Sequence, residues 1–151
     1  MGYDVLNLFS IGLGGRIVLN ETSNRGNEVT SRLDFEISKS LKLGDFTLSP
    51  RVRYCYYSNI KNTDGVPSDN RFRYRLKLGY KYAKDAIIVP SVSAEVYHFI
   101  PTNTIGMIRY ALGFDYKPVK DHTLYLGYML DNEFLIGHNK HIMMLTYKYS
   151  F

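Results

Sequence analysis

Between Arg71 and Tyr82 the chain alternates without a fault. Phe72, Tyr74, Leu76, Leu78, Tyr80 and Tyr82 occupy one parity, and Arg71, Arg73, Arg75, Lys77, Gly79 and Lys81 the other. A helix would spread those cations around its circumference, whereas a strand places every apolar group on one face and every cation on the opposite one. The segment therefore reads as a strand of about a dozen residues, against a mode of about five or six in soluble sheets. Tilted near 40°, about ten steps of about 3.3 Å project to roughly 25 Å, the height of the apolar band of an outer-membrane barrel.

The same period recurs along the chain. Val29, Ser31, Leu33, Phe35 and Ile37 oppose Thr30, Arg32, Asp34, Glu36 and Ser38, while Phe46, Leu48, Val52, Tyr54 and Tyr56 oppose Thr47, Ser49, Arg51, Arg53 and Cys55. Ile88, Val92, Ala94 and Val96 oppose Ser91, Ser93, Glu95 and Tyr97. Ile108, Tyr110, Leu112, Phe114 and Tyr116 oppose Met107, Arg109, Gly113, Asp115 and Lys117. Leu124, Leu126 and Tyr128 oppose Thr123, Tyr125 and Gly127, and Met143, Leu145, Tyr147, Tyr149 and Phe151 oppose Met144, Thr146, Lys148 and Ser150. With the Gly-rich stretch Leu8 to Leu19, the pattern predicts an all-β chain, an antiparallel up-and-down transmembrane β-barrel of about eight strands in one domain over residues 1–151.

Connections predicted as long, Ser58 to Asn70 and Asn132 to Lys140, alternate with tight ones at Ser40 to Asp45, Ala83 to Asp85 and Pro118 to Asp121. Asn20 to Asn27 reads as a polar connection and Pro101 to Asn103 as a short to moderate one. Longer loops on one rim and short turns on the other are the arrangement of an outer-membrane barrel, with the C-terminus in the periplasm. No run approaches the roughly 18 to 20 apolar residues of a membrane-spanning helix, which excludes a helical membrane protein. The negative mean hydropathy suits a soluble domain and equally a barrel in which every second residue faces a polar interior, so it does not choose between them. The net charge of +5 is strung along alternating positions without a basic tract, which argues against a nucleic-acid partner.

Gly2-Tyr3-Asp4-Val5 followed by Leu8 and Ile11-Gly12-Leu13 echoes Gly113-Phe114-Asp115-Tyr116 followed by His122, Leu124 and Leu126-Gly127-Tyr128. The first residues thus read as the tail of a descending strand. No secretion signal precedes them, so the expectation is a longer gene product with a signal peptide and about ten strands.

Alternation alone does not choose which face is outside, because a soluble lipid-binding barrel has the same period with its apolar face inward. Tyr54, Tyr56, Tyr80, Tyr82, Tyr116 and Tyr128, with Tyr147 and Tyr149, lie on the apolar parity and are expected near strand ends, where aromatic girdles meet lipid headgroups. That favours lipid outside. Arg32, Arg51, Arg53, Arg71, Arg73, Arg75, Lys77, Arg109 and Lys148 then face Asp34, Glu36, Glu95, Asp115 and Asp131 inside. The two readings of this lining are a packed, ion-paired interior and a narrow pore with a basic lumen.

Some small outer-membrane barrels are lipid-modifying enzymes or proteases, so His98, His122, His138 and His141 with Ser91, Ser93, Asp121, Asp131 and Glu133 are candidate acid–base or nucleophilic sets. No set shows a diagnostic spacing. His138 and His141 fall in a predicted loop without a register to hold a metal. Cys55 faces the interior as a small filler, and Gly12, Gly14 and Gly15 lack the strand-to-helix context of a phosphate loop. The expectation is a non-enzymatic barrel without cofactor or metal, serving envelope structure or surface binding.

Arg73-Tyr74-Arg75-Leu76-Lys77-Leu78-Gly79-Tyr80, Val92-Ser93-Ala94-Glu95-Val96-Tyr97, Arg109-Tyr110-Ala111-Leu112-Gly113-Phe114-Asp115-Tyr116 and the ending Leu145-Thr146-Tyr147-Lys148-Tyr149-Ser150-Phe151 resemble the domain-of-unknown-function 2490 family. The resemblance covers most of the chain after Asp45. It implies a barrel of unassigned function in the outer membrane of a Gram-negative envelope. It also implies that Tyr147, Tyr149 and Phe151 form the C-terminal signal read by barrel-assembly machinery. Family members are usually longer at the N-terminus and begin with a secretion signal.

Overall fold

A computed structural model describes residues 2–5, 9–22, 26–61, 70–83, 85–134 and 137–149. The elements are β1 (Gly2–Val5), β2 (Phe9–Thr22), β3 (Gly26–Ser38), β4 (Leu41–Leu43), β5 (Phe46–Lys61), β6 (Arg71–Tyr80), β7 (Ile88–Phe99), β8 (Thr104–Tyr116), β9 (His122–Glu133) and β10 (His138–Tyr149). The β1–β2, β2–β3, β3–β5, β4–β5, β8–β9 and β9–β10 ladders are antiparallel, and the strand order is β1-β2-β3-β5-β6-β7-β8-β9-β10, with β4 pairing β5. The fold is thus all-β, and its eight long described strands, β2, β3 and β5 to β10, coincide with the periodic segments. Among the described residues no helix is long and apolar enough to cross a membrane, which says nothing about strands.

The chain forms two compact units. One comprises Met1–Lys39, Arg51–Tyr74 and Tyr97–Ile105, and the other Ser40–Pro50, Arg75–Val96 and Gly106–Phe151. Within the first, register keeps like faces together: Leu33, Phe35 and Ile37 oppose Tyr56, Tyr54 and Val52, while Asp34, Glu36 and Ser38 oppose Cys55, Arg53 and Arg51. Within the second, Leu112 and Phe114 oppose Tyr128 and Leu126, and Arg109 opposes Asp131.

Burial inverts the rule for soluble proteins. In the first unit Cys55 is fully buried and Arg51 and Arg73 are each 9% exposed, whereas Leu13, Ile17 and Leu33 are exposed. In the second, Asp131, Glu95 and Ser91 are buried, whereas Leu112, Met143 and Leu145 are at least 60% exposed. A monomeric soluble protein rarely shows an apolar surface this continuous.

The connections differ from the expected alternation of lengths. Asn132 to Lys140 is not a long loop: His138 pairs Glu133, Asn139 pairs Asn132 and Lys140 pairs Asp131, so strand pairing runs to Glu133 and resumes at His138, just after Gly137 with its φ of 64°. Its polar residues complete their backbone hydrogen bonds in the ladder, which hydropathy alone does not reveal. The connection between β6 and β7 occupies 81–87, longer than the tight turn expected there. Loop length therefore supplies no orientation for the chain. Most of the predicted loop after Ser58 lies outside the described residues, though β5 runs on to Lys61.

Two facing glycines mark a close approach in the second unit. Gly113 pairs Gly127, and the Tyr125 ring folds over both. A Cβ at Gly127 would lie 2.6 Å from Tyr125 Cε1 and Cζ, and one at Gly113 would lie 2.6 Å from both the Tyr125 hydroxyl and the Leu126 carbonyl oxygen. An aromatic over a glycine covers backbone that the missing side chain leaves bare. Gly127→Ala is expected to lower stability by about 1–3 kcal/mol, as overpacking does. Shortening Tyr125 to Ser in the same chain should recover most of the loss. Gly113→Ala should not be recovered by the same change, because the Leu126 carbonyl stays in place. Urea unfolding of the refolded protein reads all four variants.

Candidate functional site

The charged face carries the chemistry. In the first unit, Glu36 on β3 lies directly across from Arg53 on β5. Arg53 Nε donates to Glu36 Oε2 at 2.8 Å, its Nη2 donates to the same oxygen, and Arg51 Nη1 donates to it at 3.3 Å. Arg32 Nη2 donates to Asp34 Oδ2 at 2.8 Å, and Arg53 Nη1 lies 3.6 Å from that oxygen. Arg32 opposes Arg16 across the β2–β3 ladder, so its bond to Asp34, two residues along its own strand, offsets a like-charge pair. Gly12 and Gly14 stand opposite Glu36 and Asp34 and leave a pocket of about 170 Å³, which Arg53 also lines. Their role is to leave this space open. They form no phosphate loop.

Beside these pairs, cations stack on aromatic rings. The Arg71 guanidinium lies 4.6 Å from the Tyr57 ring centroid and 4.8 Å from that of Phe99, and Arg73 lies 4.6 Å from that of Tyr97. Aromatic faces attract cations through the ring quadrupole, most strongly where water is excluded, and Arg73 and Tyr97 are both buried. Tyr57 and Phe99 join this network although neither is charged. Their signal was there: each is an aromatic residue on the charged parity, where the period leads one to expect a polar residue.

In the second unit Arg109 and Asp131 form a two-pronged pair, with Nε to Oδ1 and Nη2 to Oδ2 both at 2.6 Å. Lys77 Nζ stands 3.6 Å from Asp115 Oδ2 and 5.7 Å from the Tyr125 ring centroid. Glu95 is buried on β7 and Arg75 half-buried on β6, but Lys148 near the end of β10 is exposed. Lys148 is thus at the margin of the network that its parity predicted.

The histidines and tyrosines lie differently from expectation. His138 and His141 sit on β10, not in a loop, and a spacing of three in a strand sends them to opposite faces, which rules out a shared metal. Among the described residues no cluster of ligands fits a metal ion. His141 Nδ1 is hydrogen-bonded to the Tyr128 hydroxyl, His122 Nδ1 to that of Tyr147 at 2.6 Å, and His98 Nε2 to Asn103 Oδ1 at 3.0 Å. The three partners are two tyrosine hydroxyls and one side-chain amide oxygen. Tyr80 and Tyr116 end β6 and β8, Tyr82 lies two residues past β6, and Phe46 opens β5 with its ring centroid 5.0 Å from that of Tyr80. Tyr54, Tyr56 and Tyr128 are not at strand ends. They lie well inside β5 and β9, because those strands run on through polar residues to Lys61 and Glu133. Tyr147 and Tyr149 are exposed on the apolar parity of β10, and Phe151 lies outside the described residues.

Removing one partner of a buried ion pair leaves a charge with no compensation, at a cost of about 3–5 kcal/mol, while water reaching a partly exposed partner lowers that figure. Asp131 is buried and Arg109 about a quarter exposed, so Asp131→Ala is expected to cost about 2–3 kcal/mol. The swapped pair Arg109→Asp with Asp131→Arg should recover at least half, measured by urea titration of the folded protein.

No curated protein and no solved structure matches the chain. A family model described as a protein of unknown function, DUF2490, matches residues 1–141. An all-β chain that carries this family's pattern over nearly its whole length belongs to the DUF2490 family.

Proposed function

We propose that this chain is an integral outer-membrane β-barrel, non-enzymatic, whose apolar parity faces lipid and whose charged parity fills the interior. Its role is then envelope structure, or surface binding through its connecting loops. The observation that carries the reading is the inverted burial: Arg51, Arg73, Glu95 and Asp131 are buried while Leu33, Leu112, Met143 and Leu145 are exposed. In water that arrangement wastes the hydrophobic effect at every second residue, whereas against lipid it costs nothing. A soluble lipid-binding barrel needs the opposite arrangement.

Dimensions support the same reading. On the outward parity of β9, Leu124, Leu126, Tyr128 and Leu130 run between His122 and Asn132. The ten steps between those two polar ends project to roughly 25 Å at a tilt near 40°. The aromatic residues Phe46, Tyr80, Tyr82, Tyr116, Tyr147 and Tyr149 gather at one end of the strands of the second unit, as residues do that are apolar in body and polar at the tip at a membrane surface. Ion pairs and stacked cations occupy the charged face, which favours a packed interior over a conducting one. Tyr147, Tyr149 and Phe151 then serve as the terminal signal for barrel-assembly machinery.

The test is fractionation of the natural gene product followed by electrophoresis with and without boiling. Recovery in the outer membrane with a heat-dependent change in mobility is the expected result. Recovery as a soluble protein with no mobility change would contradict the reading.

A further inference from the structure

The connections at residues 81–87 and 117–121 are stitched together by main-chain bonds. Lys117 N–H donates to the Ile87 carbonyl at 2.7 Å, and Lys81 N–H donates to the Asp45 carbonyl at 2.8 Å. Each fixes a lysine backbone at the same end of the second unit. The β8–β9 turn closes on its own His122 N–H to Val119 carbonyl bond at 3.3 Å, with Asp121 at a φ of 67°, a conformation that Asp tolerates. These turns frame a pocket of about 600 Å³. Lys81, Lys117, Lys120 and His122 line it on the basic side, and Asp85 and Asp121 on the acidic side.

Two features set this pocket apart from an ordinary solvated turn. Its lysines outnumber its carboxylates, so the space favours a net negative occupant. It is also continuous with the exposed apolar surface. Val119, in its wall, is exposed, and His122 reaches from it to the Tyr147 hydroxyl at 2.6 Å and to the Tyr149 ring at 4.9 Å between centroids. Both tyrosines belong to the outward stripe that continues through Leu124, Leu126 and Leu145. An occupant held here thus meets cations at one end and an apolar strand surface at the other.

We infer that this pocket binds the phosphate-bearing headgroup of an anionic phospholipid, with the acyl chains lying along the outward face of β9 and β10. The inference rests on the membrane reading given above. Lys81, Lys117 and Lys120 supply the charge, and His122, held by Tyr147, forms the boundary between headgroup and chain. A free phosphate would satisfy the lysines but would leave the apolar continuation unused. Basic residues at a membrane surface attract anionic lipid in this way, each contributing independently.

The experiment uses the refolded full chain in phosphatidylcholine vesicles that contain trace lipid spin-labelled near the end of one acyl chain. The lipid immobilised at the protein surface is read by electron spin resonance. Spin-labelled phosphatidylglycerol is expected to associate at least about fivefold more strongly than spin-labelled phosphatidylcholine, the size of effect that one surface lysine produces. Lys117→Glu with Lys120→Glu should abolish the preference, and the milder Lys117→Gln with Lys120→Gln should reduce it. Lys42→Glu, on β4 and outside the pocket lining, should leave it in place. Equal immobilisation of both lipids would overturn the proposal and leave the membrane reading intact. So would a preference that survives charge reversal, or one for phosphatidylethanolamine over phosphatidylglycerol, which would mean the carboxylates dominate. No immobilised lipid of either kind would instead remove the membrane reading on which the proposal stands.

Discussion

Charge buried on one face of a sheet is the constraint on which the rest of this structure depends. Guanidinium and carboxylate groups withdrawn from water must find partners or stacking surfaces, because an unpartnered buried charge costs several kcal/mol. The chain meets this demand across its strands: Glu36 against Arg53 and Asp131 against Arg109 are register partners. Register is thereby fixed twice. A one-residue slip of β5 would take Arg51 and Arg53 away from Glu36 and would also carry Val52 and Tyr54 to the charged face. The same ladders that satisfy the backbone therefore specify the pairing of charges, and the pairing of charges specifies the ladders.

Aromatic residues serve on both faces, by different physics. On the apolar face the rings of Phe46 and Tyr80 pack tilted by 36°, with both side chains exposed. On the charged face Tyr57, Tyr97 and Phe99 lie beside arginines and offer π surfaces where there are fewer carboxylates than cations. Tyr125 combines both uses, covering the Gly113–Gly127 pair while the Lys77 ammonium stands over its ring. The excess of cations over anions is thus partly absorbed by aromatic rings instead of carboxylates.

Most of this was legible where one residue type alternated cleanly with another. In β6, and in β8 from Ile108 to Tyr116, the period of two identified the strands and their faces, because each position of one parity is apolar and each of the other charged or small. It failed where polar residues continue a strand past its apolar band. Asn132 to Lys140 reads as a loop by composition, yet the ladder runs through most of it, so His138 and His141 part to opposite faces. Periodicity also does not reveal which residue meets which. Neither the sandwich of Arg71 between Tyr57 and Phe99 nor the pocket between two turns has a local sequence mark, since both join segments distant along the chain.

The central claim is that the apolar parity faces lipid, and the chain contains no tryptophan, so each one introduced is a unique reporter. Leu33→Trp, Leu112→Trp and Leu126→Trp place it on the outward parity, and Tyr97→Trp and Tyr125→Trp on the charged one. In vesicles with bromine on the acyl chains, fluorescence of the three outward reporters is predicted to be strongly quenched and that of the two inward reporters spared. Quenching of the inward pair with sparing of the outward three, or no quenching at any position, would contradict the account.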